Sequence, residues 1–324
     1  MVQINKKLFF QIISEFKIVT FHQTEGWLAF CNFADNGKII FLVDDFSNPK
    51  MACFAHVKKA LGLKMLLMEG ICIKSPQYNY SEIQGFYNSI TCLNFDIVEV
   101  NCGLRYTSNF EIGIRRAGFM RPVGTFSVPL SNWINLQEQI QYNNNWKRNL
   151  KKATEHKLSF RVLDHPSKDI VNHFVNFYNQ FTKEKGFSHH LNFTQTYNML
   201  QSDDFSLGVV YTEQNDVSCA IIFHHHVQHA GLLYAAKSEN AKEIGSTFFM
   251  YDQLFKYLIT KSFHSFDMEK IQPSTHATDG VFLFKNGIKG EHVLYNGEWS
   301  WYKKNIYRPI MYFIKRYLMK KHEL

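Results

Sequence analysis

The chain has 324 residues, of which 45% are hydrophobic, a formal charge of +8 and six cysteines. This length predicts two domains, each with enough apolar residues for its own core. No apolar run approaches the ~20 residues that a membrane span needs. The cysteines form no Cys-x-x-Cys pair and have no regular spacing, which argues against zinc and for buried thiols in a reducing compartment.

The N-terminus lacks the features of a secretory leader. Lys6 and Lys7 precede a short apolar stretch, but Gln11 and Ser14 interrupt it too early, and no small-residue cleavage site follows. We therefore expect a cytoplasmic protein.

The positive charge is concentrated in two segments. Residues Trp146–Arg161 contain six basic residues and one acid, and Lys303–Lys321 contain seven basic residues and no acid. The rest of the chain is therefore net acidic. Two such segments suit a polyanion, a phosphorylated ligand or an anionic membrane surface. The alternative is that each is simply a solvated helix face.

In chain order, the first half predicts alternating strands and helices. An amphipathic helix is predicted at Lys6–Phe16, and the Asn-Gly step of Asp35–Gly37 predicts a hairpin turn. The other predicted elements are strands at Trp27–Phe33, Lys38–Val43 and Met51–Val57, a helix at Tyr80–Cys92, a strand at Phe95–Val100, a helix at Asn109–Ala117 and a strand at Met120–Leu130. This order is typical of an α/β domain.

The second half predicts a similar unit after a connecting helix at Asn132–His156. The further predicted elements are a strand at Leu158–Leu163, a helix at Ser167–Lys185, strands at Phe205–Tyr211, Val217–His226 and Gly231–Ala236, a helix at Ser246–Ile259 and a strand at Glu291–Trp301. We expect two tandem domains, 1–140 and 141–302, followed by a basic amphipathic helix at 303–324 that docks on the second domain or lies on a membrane surface.

Candidate chemistry lies between Lys261 and Gly290. A strand through Phe263, Phe266 and Met268 ends in the acids Asp267 and Glu269, and strand ends of α/β domains are where functional groups are exposed. Asp279 is a suitable N-cap for a short helix that carries Phe284 and Lys285 and ends at Gly287. The alternative is a solvated strand end with a surface lysine.

Four sequence motifs resemble those of the Fem-type (FemABX) transferases and their relatives, which are built of two tandem GNAT N-acyltransferase domains. In order they are Phe21-His22-Gln23 with Trp27, Ala117-Gly118-Phe119 followed by Thr125–Leu130, the basic helix Trp146–Ala153, and Gly280–Lys285 preceded by Phe266-Asp267. Each motif is short, but their order over residues 20–300 matches the family.

The resemblance implies an α/β chain of two GNAT-like domains that transfers an acyl or aminoacyl group to an amine. The implied donor is an acyl-CoA or an aminoacyl-tRNA, and the implied acceptor is a cell-envelope precursor or sugar nucleotide. The chain departs from the family at Phe284–Gly290, where a second aromatic is missing. Lys242–Thr247 only partly matches the pyrophosphate turn of the acyl-CoA branch, and no heptads predict a tRNA-binding coiled coil.

For such a reaction Asp267 or Glu269 would orient or deprotonate the amine, and Lys285 would hold a donor phosphate or meet developing negative charge. Binding residues are expected near Phe284 and at two basic or helix-terminal positions: Arg148, Lys151 and Lys152 on one helical face, and Lys242, Gly245, Ser246 and Thr247 before a helix. The alternative for Ser246 is a helix cap.

Two other functions stay open. One is a catalytically silent GNAT-fold protein that binds a phosphorylated or polyanionic partner, and the other is a tRNA-binding protein without transfer. His224, His225 and His226 lie in a predicted strand, so the first and third share a face, but a metal site would need a further ligand. No metal is expected.

Overall fold

The computed structural model describes residues 1–31, 38–60, 62–122, 130–187, 189–271 and 280–315. The chain divides into two compact units. Unit 1 comprises Met1–Thr24, Asp35–Pro129 and Leu294–Leu324, and unit 2 comprises Glu25–Ala34 and Leu130–Val293. The domain boundaries predicted near residues 140 and 302 stay predictions.

The helices of the described residues are α1 (Lys6–Ile13), α2 (Glu25–Cys31), α3 (Tyr80–Thr91), α4 (Ser108–Arg116), α5 (Asn144–Thr154), α6 (Lys168–Glu184), α7 (Phe193–Leu200), α8 (Ser246–Thr260), α9 (Gly280–Lys285) and α10 (Tyr307–Phe313). Short 3₁₀ turns occur at Phe21–Gln23 and Glu239–Lys242. Several helices begin at side-chain caps, as at Asn143 before α5 and Ser167 before α6.

The strands are β1 (Val2–Ile4), β2 (Ile18–Val19), β3 (Lys38–Val43), β4 (Met51–Ala60), β5 (Leu63–Glu69), β6 (Cys72–Ile73), β7 (Ile97–Arg105), β8 (Leu130–Asn135), β9 (Ser159–Leu163), β10 (Phe205–Tyr211), β11 (Val217–His226), β12 (His229–Lys237), β13 (Ser265–Lys270) and β14 (Glu291–Tyr302).

In unit 1 the strands follow the order β1-β3-β4-β5-β7-β14, with β2 and β6 paired beside β4. The β5–β7 pair is parallel, and the other named neighbours are antiparallel. Helices α3 and α4 cover one face, where Phe86, Tyr87 and Phe110 pack with Trp299 in the core. Burial of such large aromatic side chains is a main source of the stability of this unit.

In unit 2 the order is β8-β13-β12-β11-β10-β9, and β12–β13 is the parallel pair. Helix α8 packs on one face, because Tyr251, Leu254 and Phe255 meet Phe223 and Phe266. The opposite face carries α6, whose Tyr178 contacts Tyr234 of β12 with ring centroids 5.5 Å apart. The sheet therefore has an apolar face under α8 and a second face on which polar side chains of β11, β12 and β13 lie.

Most predicted elements are confirmed, and two predictions are wrong. A strand was predicted at Trp27–Phe33, but residues 25–31 form helix α2. Trp27 and Leu28 are buried side chains of this helix. The predicted connecting helix begins only at Asn144, since Leu130–Asn135 is strand β8. Strand β5 and helix α7 were not predicted.

Some predictions lie outside the described residues. These are the hairpin turn at Asp35–Gly37, residues 125–129 of the first-domain motif, Asp279 as an N-cap, and residues 316–324 of the basic tail. The prediction that the tail docks on the second domain is wrong for its described part, because α10 belongs to unit 1 and buries Met311 against Met65 and Ile97. Across the described ranges, we find no helix with the length and apolarity to cross a bilayer.

Candidate functional site

The candidate site lies where β12 and β13 part. The two parallel strands pair over three positions, His229 with Ser265, Ala230 with Phe266 and Gly231 with Asp267. Beyond Gly231, β12 continues to Lys237, and no strand among the described residues pairs with that edge. An open strand edge presents main-chain N–H and C=O groups that an extended ligand can use.

Asp267 and Glu269 lie at this end of β13. Asp267 is buried, and its Oδ1 accepts hydrogen bonds from the Ser131 hydroxyl of β8 and from the Glu269 N–H, the latter at 2.8 Å. Glu269 has a left-handed backbone with φ of 57°, and the β13–β8 register shifts between Asp267 and Lys270. A bulge with a non-glycine residue in this conformation is costly, and such features occur often at functional sites.

The two carboxyl groups differ in their electrostatic surroundings. Burial raises the pKa of Glu269 to about 7, and the neighbouring Asp267 acts in the same direction, while Lys285 and Lys270 oppose it. A carboxyl group with a pKa near neutrality can gain and lose a proton at the pH of a cell. Glu269 is therefore the better suited of the two for proton transfer.

Lys285 ends α9 and points its ammonium at the bulge. Its side chain is 9% exposed, and Nζ donates to the carbonyl of Lys270 at 2.9 Å and to that of Glu269 at 3.3 Å. Burial lowers the pKa of Lys285, and the carboxylates of Glu269 and Asp267 oppose this effect. A buried cation beside two carboxyl groups can stabilise negative charge that develops on a substrate.

Two buried side chains hold α9 in place. Asn132 of β8 donates from Nδ2 to the carbonyls of Lys285 at 2.9 Å and Ile288 at 3.0 Å. The Trp146 indole of α5 donates to the Phe284 carbonyl at 2.8 Å, and the two rings lie 4.8 Å apart. Phe284 also contacts Phe248 and Tyr251 of α8. Its position is therefore that of an anchor for α9, and its predicted role in binding stays a prediction.

The start of α8 differs from the expected cap. Gly245, with φ of 69°, occupies the N-cap position, and a Cβ added there would lie 2.5 Å from the Asn149 carbonyl of α5. Ser246 is buried and bonded to Ser218 at 2.7 Å and to Cys219 at 3.1 Å, while Thr247 contacts Cys219 at 3.4 Å. The Ser246 hydroxyl is therefore occupied within the core, and the predicted binding roles of Gly245, Ser246 and Thr247 stay predictions.

The basic residues predicted to bind the donor lie on exposed surface. Arg148, Lys151 and Lys152 are exposed on α5, where Arg148 donates to Asn145 at 2.9 Å. Lys242 is exposed at the end of a 3₁₀ turn before α8. Because α5 packs against Gly245, these two groups belong to one region of unit 2. Their binding role is untested.

A cavity of about 290 Å³ lies at the far end of β12. Its lining comes from the second half of α6 and the turn after β12, namely Phe177, Gln180, Phe181, Glu184, Lys237, Ser238, Glu239 and Asn240. The seven residues from Gly231 to Lys237 span roughly 20 Å of strand. The cavity is therefore separate from the carboxyl cluster, at the other end of the open edge.

The histidines occupy both faces of β11, as the alternation predicts. His225 lies beside Phe263 and 2.8 Å from the Ser206 hydroxyl, and burial lowers its pKa. His226 lies 3.4 Å from Asp204. Within the described ranges, no three His, Cys, Asp or Glu side chains converge as they would around a metal ion.

The structure brings Asp267, Glu269 and Lys285 into one cluster. It places the other predicted residues apart from this cluster, on α5, on the turn before α8 and in the aromatic packing around Phe284. Ser131 and Asn132 were missed, because Ser131 fell between the predicted strand that ends at Leu130 and the predicted helix that begins at Asn132. Two consecutive polar residues between Leu130 and Trp133 in a β-like run were the signal for a strand with a buried polar function.

Comparison with known proteins gives structural matches only. No family model and no curated protein matches the chain in sequence. FemX is similar over 96% of this chain and 100% of its own, with a TM-score of 0.75 and 9% identity. L-PGS from Bacillus licheniformis covers 96% of both chains, with a TM-score of 0.64 and 13% identity.

A tandem GNAT protein from the clavulanic acid biosynthesis pathway is also similar, with a TM-score of 0.52 and 6% identity over 93% of this chain and 97% of its own. At these identities the matches concern the fold. They confirm the prediction of a mixed α/β chain made of tandem GNAT-like domains, and the predicted resemblance to Fem-type proteins.

Proposed function

We propose that the chain is an N-acyl- or aminoacyltransferase that moves an activated acyl group to an amine of a cell-envelope precursor or a sugar nucleotide. The observation that carries this proposal is the cluster of Asp267, Glu269 and Lys285 at the open end of the β12–β13 pair. The fold shared with FemX and L-PGS supports the same class of reaction.

The reaction needs a group that takes a proton from the acceptor amine. An ammonium group is not nucleophilic, so the amine must lose a proton before or during attack on the activated carbonyl. Glu269, with a pKa of about 7, can accept this proton at neutral pH. Asp267, held by Ser131 and by the Glu269 N–H, would stay ionised and orient the amine. Two carboxyl groups in different environments thus take different roles.

Lys285 would stabilise the transition state. Attack on the carbonyl places negative charge on its oxygen, and a preorganised cation near that oxygen lowers the barrier. The two main-chain carbonyls that accept from Nζ fix the ammonium in place, so little reorganisation is needed during the reaction. The side chain would act without forming a covalent intermediate.

The donor would lie along the open edge of β12. This edge runs from Gly231, beside Asp267, towards Lys237 and the turn that leads to α8. Main-chain N–H groups at the start of α8, with Lys242 and the exposed bases of α5, would then meet donor phosphates. Both an acyl-CoA and an aminoacyl-tRNA carry such phosphates, so this geometry suits either donor.

A transfer assay with two donor classes tests the proposal. Purified chain is incubated with radiolabelled acyl-CoA or with bulk tRNA charged with radiolabelled amino acids, and with a UDP-linked amino sugar or a UDP-linked peptide carrying a free amine. We expect label on one acceptor from one donor class, and loss of that label in Lys285→Met. Absence of transfer from both donors to either acceptor would reject the proposal for these acceptor classes.

The second candidate is a binding module for a polyanion without catalysis, and the exposed bases of α5 favour it. Lys147, Arg148, Lys151 and Lys152 are exposed, and the nearest acid along the chain is Glu155 at the C-cap of α5. Replacing Arg148, Lys151 and Lys152 by Gln should weaken binding to bulk tRNA about tenfold at low salt and reduce the salt slope by about 2. The matched control is Gln at Lys6, Lys7 and Lys59 of unit 1, which removes the same charge. Equal losses in both triple variants would show that α5 is not a specific site.

A further inference from the structure

One row of aligned residues crosses the sheet of unit 2 at the candidate site. Phe205 pairs with His224, His224 with Gly231, Gly231 with Asp267, and Asp267 with Trp133. Aligned residues of neighbouring strands point to the same face. His224 and Asp267 therefore lie on one face, separated by a single strand, and the residue between them has no side chain.

Gly231 lies between these two residues, and its lack of a side chain lets them approach each other. A Cβ added to Gly231 would lie 2.4 Å from His224 Nε2 and 3.1 Å from Asp267 Cβ. Nε2 and Asp267 Cβ can therefore be no further apart than these two distances together. The φ of Gly231 is not in the left-handed region, so backbone conformation does not require glycine here. Glycine is required here because a larger side chain would not fit between the His224 imidazole and Asp267.

We propose that His224 is a positioning residue that holds the Asp267 carboxylate ionised and oriented across Gly231. The inference rests on the transferase function proposed above. Ser131 and the Glu269 N–H already hold Oδ1 from the β8 side and from within β13, and His224 approaches from the β11 side. The imidazolium form would donate its Nε2 proton to the carboxylate in a charge-assisted hydrogen bond.

A hydrogen bond across Gly231 would explain how two neighbouring carboxyl groups can keep different protonation states. Close to each other, Asp267 and Glu269 compete for ionisation, and a cation beside one of them decides which loses its proton first. The other charged and titratable groups around His224 and Asp267 are Glu269 and Lys270 on β13, Lys285 on α9, His226 on β11, His229 on β12 and Asp204 before β10. Of these, His226 and His229 are each two positions from the row along their own strands.

Nuclear magnetic resonance titration tests the proposal without any substrate. The imidazole C–H signals of His224, assigned through His224→Gln, are followed with pH in the wild-type chain and in Asp267→Asn. We expect the pKa of His224 to be about one unit lower in Asp267→Asn, because the carboxylate partner is lost. His165, which lies 3.0 Å from Asp203 and is not among the groups around Asp267, is the internal control. An unchanged His224 titration would overturn the proposal.

Transfer kinetics give a second, independent arm. Both His224→Gln and Gly231→Ala should lower kcat about tenfold or more with little change in the donor KM, and should alter the pH profile. Gly231→Ala added to His224→Ala should cost less than twofold further, because the methyl group then enters vacated space. Gly103→Ala is the matched control, since a Cβ there meets nothing within 4 Å. Melting temperatures identify variants that lose activity through unfolding.

The two arms separate the two proposals. If the chain transfers no acyl group at all, the proposed function fails, while the titration still decides whether His224 and Asp267 are coupled. If transfer occurs and His224→Gln keeps the wild-type rate and pH profile, His224 has no positioning role and the transferase assignment stands.

Discussion

The two units contain the same arrangement of four strands, but with different ends. In unit 1, β4, β5, β7 and β14 pair as antiparallel, parallel and antiparallel neighbours, and in unit 2 so do β11, β12, β13 and β8. The parallel pair of unit 1 runs from Met65 to Glu69 against Ile97 to Asn101, whereas that of unit 2 stops after Gly231 and Asp267. We call the parallel pair of unit 1 closed, because β5 stays paired with β7 up to its last residue. We call that of unit 2 open, because β12 continues after its pairing with β13 has ended.

A buried glutamine completes the hydrogen bonding beside the closed pair of unit 1, at the end of the neighbouring antiparallel pair β4–β5. Gln23 accepts from the Phe54 N–H at 2.6 Å and donates to the carbonyls of Glu69 at 2.6 Å and Phe54 at 3.1 Å. Its amide thereby completes the main-chain hydrogen bonding of β4 and β5 where their own pairing ends. At the open end in unit 2, Asp267, Glu269 and Lys285 lie instead. The comparison indicates that one strand order can end either in main-chain hydrogen bonds to an amide or in a cluster of ionisable side chains.

The largest expected effect is the loss of Lys285 from the open pair. Lys285→Met keeps much of the side-chain length and removes the charge, so we expect transfer to fall about 10³-fold, a loss of about 4 kcal/mol of transition-state stabilisation. The folded state should persist, because an apolar side chain suits this buried position. Steady-state kcat/KM and the melting temperature measure the two effects.

The matched control is Lys289→Met, four residues further along the chain at an exposed position. It removes the same charge from the same segment and should keep the wild-type rate. A Lys285→Met variant with more than a tenth of the wild-type kcat/KM would show that the open pair is not the reactive end.

The next effect concerns Gln23, which bonds β4 and β5 of unit 1 where their pairing ends. Gln23→Leu removes three hydrogen bonds and leaves the Phe54 N–H and two carbonyls without them in a buried place. We expect the free energy of unfolding to fall by about 3 kcal/mol. Urea unfolding measures this, with Gln11→Leu on the exposed side of α1 as control. A loss below about 1 kcal/mol would mean that Gln23 does not seal the strand end.

The sequence predicted the closed and open ends unequally. Hydrophobic periodicity was enough for α3, α6, α8 and the three-strand meander, because their buried faces repeat with the helical or strand period. The acids Asp267 and Glu269 and the lysine Lys285 were also predicted, since they stand at the ends of short elements.

The partners of these residues could not be predicted, because they come from distant strands. Ser131 reaches Asp267 from 136 residues away, and Gln23 reaches Glu69 from 46 residues away. The left-handed backbone of Glu269 and the gap at Gly231 depend on strand register, which no local pattern specifies. Residues from Asn132 onward were predicted to be helical, so strand β8 was missed. This is the strand whose Ser131 hydroxyl bonds Asp267.

The smallest expected effect tests whether Glu269 is the proton acceptor of the open pair. Its folded-state pKa of about 7 lies above the ordinary value near 4.5, so the folded chain retains this proton after the unfolded chain has lost it. Stability from this group is therefore fully present below about pH 4 and is lost as the pH rises to about 7, by roughly 3 kcal/mol. Glu269→Gln should remove this loss, so the variant gains stability relative to wild type between pH 5 and pH 8.

Urea unfolding at several pH values measures the difference, and Glu155→Gln, an exposed glutamate on the C-terminal side of α5, controls for the change in charge. In Glu269→Gln transfer should fall about 10²-fold, while the wild-type rate should rise with pH through about 7 because the ionised carboxylate is the base. A wild-type rate that falls over this range would instead assign Glu269 as an acid. If the stability difference between wild type and Glu269→Gln is the same at pH 5 and pH 8, the open end does not perturb the pKa of this carboxyl group.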